Sequence, residues 1–102
     1  MFKITEGKGF HITFKNDTTV SVQFGPGNYC ENQSPDKKNF LHVRGISKDA
    51  EIAIWDKNGE WITDEYFGGS DVVKGHVDPE ELLGVLVWVQ DYEKFHLKLL
   101  EK

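Results

Sequence analysis

One cysteine, Cys30, and one arginine, Arg44, are all that this sequence holds of either residue. A single thiol cannot close an internal disulfide, which fits a reducing compartment such as the cytoplasm. The 17 acidic residues outnumber the 12 basic ones, giving a formal net charge of −5. Neutralisation of phosphates by Lys and Arg supplies most non-specific nucleic-acid affinity, so this balance argues against duplex binding. Long apolar runs are missing too. The longest, Leu82 to Val89, falls short of the about 18 residues that a membrane-spanning helix needs. The opening MFKITEGKGF lacks an apolar segment and a cleavage pattern, so no signal peptide is expected. Also absent are GxGxxG, P-loop and GxSxG motifs, internal repeats, low-complexity tracts and linkers.

What the chain does have is rings: seven Phe, three Tyr and three Trp in 102 residues. Each can bury roughly 150–250 Å², enough for one core in a single domain spanning residues 1–102. Phe2–Thr5 reads as a short strand that ends at Gly7-Lys8-Gly9. Beyond it Phe10, Ile12 and Phe14 alternate with His11, Thr13 and Lys15. Asn16-Asp17 is turn chemistry, and Val20, Val22 and Phe24 then continue the apolar face opposite Ser21 and Gln23. These residues predict a β-hairpin with one buried face. Residues 25–39, GPGNYCENQSPDKKN, have no periodicity and read as a long functional or disordered loop.

Phe40–Ile46 is a weaker strand candidate and Glu51–Trp55 a firmer one. In Asp56-Lys57-Asn58-Gly59, a type I turn with a left-handed Gly59 would pair Trp55 with Trp61 and Ile54 with Ile62. A return strand is expected over Glu60–Phe67, and another short one over Val72–Val77. Asp78-Pro79-Glu80-Glu81 then marks a helix start, with Asp78 as N-cap, Pro79 at the first helical position and Glu81 closing a capping box. The helix is expected to run to about Tyr92, burying Leu82, Val85, Leu86, Val89 and Tyr92. Leu83, Val87 and Trp88 add apolar surface around the axis, either sandwiched between the sheet and the tail or forming a homodimer face. The tail, Glu93–Lys102, can be read as edge strand or helix. The fold class is therefore α+β: a mainly antiparallel sheet of five to seven short strands with one helix from the C-terminal half packed on it.

No chemistry-bearing constellation stands out. Cys30 and His11 could be imagined as a thiol–base pair, but Cys30 reads first as a small buried residue anchoring its loop. His11, His42, His76 and His96 are scattered one per element, without ligand spacing, and neither metal nor cofactor is expected. Neighbouring carboxylates such as Asp64-Glu65 and Glu80-Glu81 suit solvated faces and a helix N-terminus. The expectation is a binding protein and not an enzyme. Its candidate site gathers Gly25, Gly27, Asn28, Tyr29, Cys30 and Asn32 from the loop, His11 and Gln23 from the polar strand face, and the Trp55–Trp61 pair. Arg44, with Lys37 or Lys38, could meet a phosphate there.

The pattern GFHITF, TVSVQFGPGNYC, AEIAIWDKNGEW and VKGHVDPEELLGVLVWV resembles a family of small bacteriophage and prophage proteins with no assigned activity. The resemblance runs from Gly9 to Val89, and Gln23–Cys30 is its most specific part. It carries no catalytic residues over. It implies an accessory protein of the host-cell cytoplasm that inhibits a host defence system, as an anti-CRISPR protein does, by binding a host protein. The alternative it implies is sequestration of a nucleotide immune signal by the Gly25–Asn32 loop.

Overall fold

The computed structural model describes residues 1–35 and 45–93. Alternation of apolar and polar residues produces five strands: β1 (Phe2–Thr5), β2 (Gly9–Thr13), β3 (Thr19–Gln23), β4 (Ala50–Trp55) and β5 (Val73–Val77). They form one sheet in the order β1-β2-β3-β4-β5, antiparallel at every pairing. Two helices join them, α1 (Thr63–Phe67) and α2 (Pro79–Gln90). The class is α+β.

Register sorts the side chains into two faces. Phe10 lies opposite Val22 and Val22 opposite Ile52, while Ile12, Val20 and Ile54 form the next apolar row. These rows meet Val85 and Val89 of α2 in a core where Val20, Val22, Ile52, Ile54, Val85 and Val89 are fully buried. The other face carries Thr5, Gly9, Gln23 and Glu51 in one row, Lys3, His11, Ser21 and Ala53 in the next, and Thr13, Thr19 and Trp55 in a third.

α2 begins as its first four residues dictate. Asp78 Oδ1 accepts the Glu81 N–H at 2.8 Å, and Glu81 Oε1 accepts the Asp78 N–H at 3.2 Å. Its end is held by the first hairpin. Asn16 donates through Nδ2 to the Val89 carbonyl at 2.9 Å, an acceptor of the last turn that also takes the Asp91 N–H. The helix stops at Gln90, with Asp91 as C-cap, two residues before the expected Tyr92.

The turn after β4 is the type I turn with a left-handed glycine. Gly59 has φ +79°, Trp55 pairs with Trp61, and Ile62 N–H donates to the Ile54 carbonyl at 2.9 Å. The return strand over Glu60–Phe67 does not form. It is a single bridge at Trp61, and the chain then turns into α1. The cause is competition for one edge: β5 occupies β4 beside Ala50, Ile52 and Ala53. Thr63 takes over where the strand would have continued. Its hydroxyl accepts the Ile54 N–H at 2.9 Å and donates to the Val72 carbonyl at 2.7 Å. The strand expected over Val72–Val77 begins one residue later. Of Phe40–Ile46, residues up to Arg44 lie outside the described residues, and Gly45 and Ile46 are not strand. The tail beyond Glu93 also lies outside them.

Candidate functional site

The loop after β3 is built inward. Asn28 Oδ1 accepts the Gly25 N–H at 2.9 Å, and Asn28 Nδ2 donates to Glu51 Oε1 at 3.0 Å. The second oxygen of Glu51 accepts the Tyr29 N–H at 2.9 Å. Asp49 repeats the device two positions upstream. Its Oδ1 accepts the Glu31 N–H at 2.6 Å, and its Oδ2 lies 3.0 Å from His76 Nδ1. His76 returns a backbone bond to the Tyr29 carbonyl at 2.9 Å. Asn32 Nδ2 donates to the Phe24 carbonyl at 3.1 Å. Gly25, Asn28 and Cys30 are buried, while Gly27 and Tyr29 are exposed.

These bonds change what the loop can do. A phosphate cradle needs free N–H groups aimed at the ligand. Here the N–H groups of Gly25, Tyr29 and Glu31 point at side-chain oxygens of the chain itself. Two of the three acceptors are carboxylates, and their charge repels an anion.

Cys30 sits under this loop, 2% exposed, with Sγ 3.7 Å from the Gly25 carbonyl. Burial first, and the charges of Asp49 and Glu51 as well, push its thiol up from the ordinary value. That is the wrong direction for a nucleophile. His11 stays away from it, packed edge-to-face on Trp55 at 5.1 Å. No contact joins Cys30 to His11.

The polar sheet face gathers the other expected residues. His11, Trp55 and Trp61 form a continuous edge-to-face chain, the two tryptophans 5.4 Å apart. Gln23 is buried beside it, accepting from Thr5 Oγ1 at 3.0 Å and donating to Ser21 Oγ at 3.1 Å. His11 and Gln23 are therefore brought together with the tryptophans on this face, and the loop residues lie beyond its end. Arg44, Lys37 and Lys38 fall outside the described residues.

Elsewhere, a cleft of about 560 Å³ lies beside the C-terminus of α2, lined by Asn16, Asp56, Glu60, Glu65, Tyr92 and Glu93. Its carboxylates do not converge: among the described residues no group of three or more His, Cys, Asp or Glu side chains could hold a metal ion. Nor is any described helix long and apolar enough to cross a membrane.

The outer side of α2 carries exposed apolar side chains, as β1 does with Phe2 and Ile4. Leu83 and Val87, one turn apart, are 63% and 53% exposed. Trp88, expected beside them, turns away to pack on Tyr66 at 5.4 Å and Tyr92 at 5.0 Å. Glu80 and Asp91 are exposed near the two ends of this outer face.

Sequence reasoning missed Asp49, Glu51, Lys3 and Lys8. Alternation places Lys3 and Glu51 on the polar face, and that was the available signal. The bonds of Asp49 and Glu51 to the loop depend on β4 lying beside β3, which no local pattern announces. Comparison with family models, curated proteins and solved structures gives no match to this chain.

Proposed function

We propose that this domain is an accessory binding protein that acts by covering a surface of a protein partner. The resemblance described above implies that the partner is a host-defence protein and the action its inhibition, in the cytoplasm of the host cell. The observation that carries the reading is the Leu83–Val87 pair, exposed at 63% and 53% on the side of α2 opposite the core. Two large aliphatic side chains at i and i+4 are the anchors by which a helix enters an apolar groove. Exposed apolar surface of this kind marks interaction sites when polar groups rim it. Glu80 and Asp91 supply such a rim, and the net charge of −5 favours a groove bordered by Lys and Arg.

Sequestration of a nucleotide by the Gly25–Asn32 loop is the weaker reading, because Glu51 and Asp49 already take that loop's donors. Against a thiol enzyme stands the burial of Cys30, whose pKa is raised.

Tagged protein incubated with host lysate tests the reading. Recovery of one partner in stoichiometric amount is expected, and recovery of none would end it.

A further inference from the structure

The polar sheet face lies on the opposite side of the domain from α2, and one corner of it is unlike the rest. The register places Lys3 directly across from His11, Thr5 across from Gly9, and Gly9 across from Gln23. All five residues therefore share a face, with directly opposed Cβ positions about 4.5–5.5 Å apart. Gly9 contributes no side chain. A Cβ there would collide with the Val22 carbonyl oxygen, so the position is closed to any larger residue. The Gln23 side chain passes over Gly9 and accepts from the Thr5 hydroxyl at 3.0 Å, and Gln23 is 7% exposed. Beside it lies a shallow concavity of about 370 Å³ lined by Lys3, Ile4, Thr5, Glu6, Lys8, His11 and Gln23. That volume falls within the roughly 300–1,000 Å³ of small-molecule sites.

Its charge runs against that of the chain. Two lysines and a histidine face one carboxylate, Glu6, in a protein whose acidic residues outnumber its basic ones by 17 to 12. Neither Lys3 nor Lys8 forms an ion pair among the described residues. We propose that this corner is a binding site for a phosphate-type oxyanion, held by Lys3, Lys8 and His11 in that concavity. Charge-assisted bonds from convergent cations are the strong interactions available to phosphate. Lys3, Lys8 and His11 line one concavity, which suits a discrete phosphate group.

His11 adds a linked proton. Burial first, and Lys3 second, hold its imidazole below the ordinary value. An anion between Lys3 and His11 cancels the second influence, so binding raises the His11 pKa. Glu6 opposes the site, and Trp55 and Ser21, which border His11 from β4 and β3, carry no charge.

The test is an NMR titration of the full chain, with one arm using inorganic phosphate and the other a nucleoside monophosphate. Sodium chloride at matched ionic strength is the control. Saturable shifts of the His11 ring and of the Lys3 and Lys8 side chains are expected, with a rise in the His11 pKa. Lys3→Ala and Lys8→Ala each weaken binding about tenfold, and Glu6→Gln tightens it. Both lysine side chains can be removed without touching the sheet's backbone bonds, and far-UV circular dichroism verifies the fold. Saturation in the phosphate arm assigns free phosphate; saturation in the monophosphate arm alone assigns a phosphate ester of a larger molecule. Shifts in neither arm, or shifts equal in the lysine variants and in chloride, would overturn the site.

Discussion

Glu51 holds Asn28. The carboxylate accepts the Asn28 amide at 3.0 Å with one oxygen and the Tyr29 N–H at 2.9 Å with the other. Through this one side chain β4 fixes the conformation of the loop that follows β3. Asn28 in turn holds the buried Gly25 N–H at 2.9 Å. Removing either partner strands a donor, at a cost of about 1–3 kcal/mol for a buried group. Glu51→Ala and Asn28→Ala should therefore lower the denaturant midpoint by that amount without changing the slope of the transition. A loss well under 0.5 kcal/mol would mean that the loop is held by something else.

The same loop should shield its thiol. Cys30 is 2% exposed and its pKa is raised chiefly by burial. Labelling by a disulfide reagent at neutral pH should be slow, with a rate set by opening of the loop. In Glu51→Ala the rate should rise by at least tenfold, because opening no longer breaks two charge-assisted bonds. Fast labelling of the native protein would contradict this picture.

Tyr92 answers to Glu65. Burial first, then the charge and hydrogen bond of Glu65, push its phenol up to about 12 from 10.0. The hydroxyl donates to both Glu65 oxygens at 3.1 Å. A raised pKa means that the folded state holds the proton longer. Its contribution to stability is present below pH 10 and is lost as the pH rises through about 12. Glu65→Gln should bring the Tyr92 titration, followed by its ring NMR signals, back towards the ordinary value. An unchanged midpoint would assign the shift to burial alone.

Gly84 sits mid-helix, where glycine costs about 1 kcal/mol relative to alanine. A Cβ there would come 2.5 Å from the Tyr66 hydroxyl, while Tyr66 is stacked edge-to-face on Phe67 at 4.9 Å and on Trp88 at 5.4 Å. Gly84→Ala alone should give no gain in stability. Combined with Tyr66→Phe, the same substitution should stabilise relative to Tyr66→Phe by up to about 1 kcal/mol, a coupling that a double-mutant cycle isolates. Equal effects in both backgrounds would show that Tyr66 is not the obstacle.

Local patterns carried the fold a long way. Alternation placed Phe10–Phe14 and Val20–Phe24 in a hairpin, Asp78-Pro79-Glu80-Glu81 opened α2, and Gly59 fixed the pairing of Trp55 with Trp61. The failure came after Ile62. The local pattern continues a strand through residues 63–67, and nothing local says that β5 claims the same edge of β4. The site was legible only in part for a related reason. His11, Gln23 and the tryptophans share a face by period two, whereas the holds of Asp49 and Glu51 on the loop span 18 to 23 residues of sequence. The excess apolar residues of α2 were visible too, but not that Trp88 would turn towards Tyr66 and leave Leu83 and Val87 outside.

The account rests most heavily on that outer face. Its most direct test compares partner capture from host lysate by the native chain and by Leu83→Asp/Val87→Asp, both positions being exposed and outside the core. The account predicts one stoichiometric partner retained by the native chain and lost, by at least tenfold, from the double variant with its thermal midpoint unchanged. Equal retention by the two proteins would contradict it.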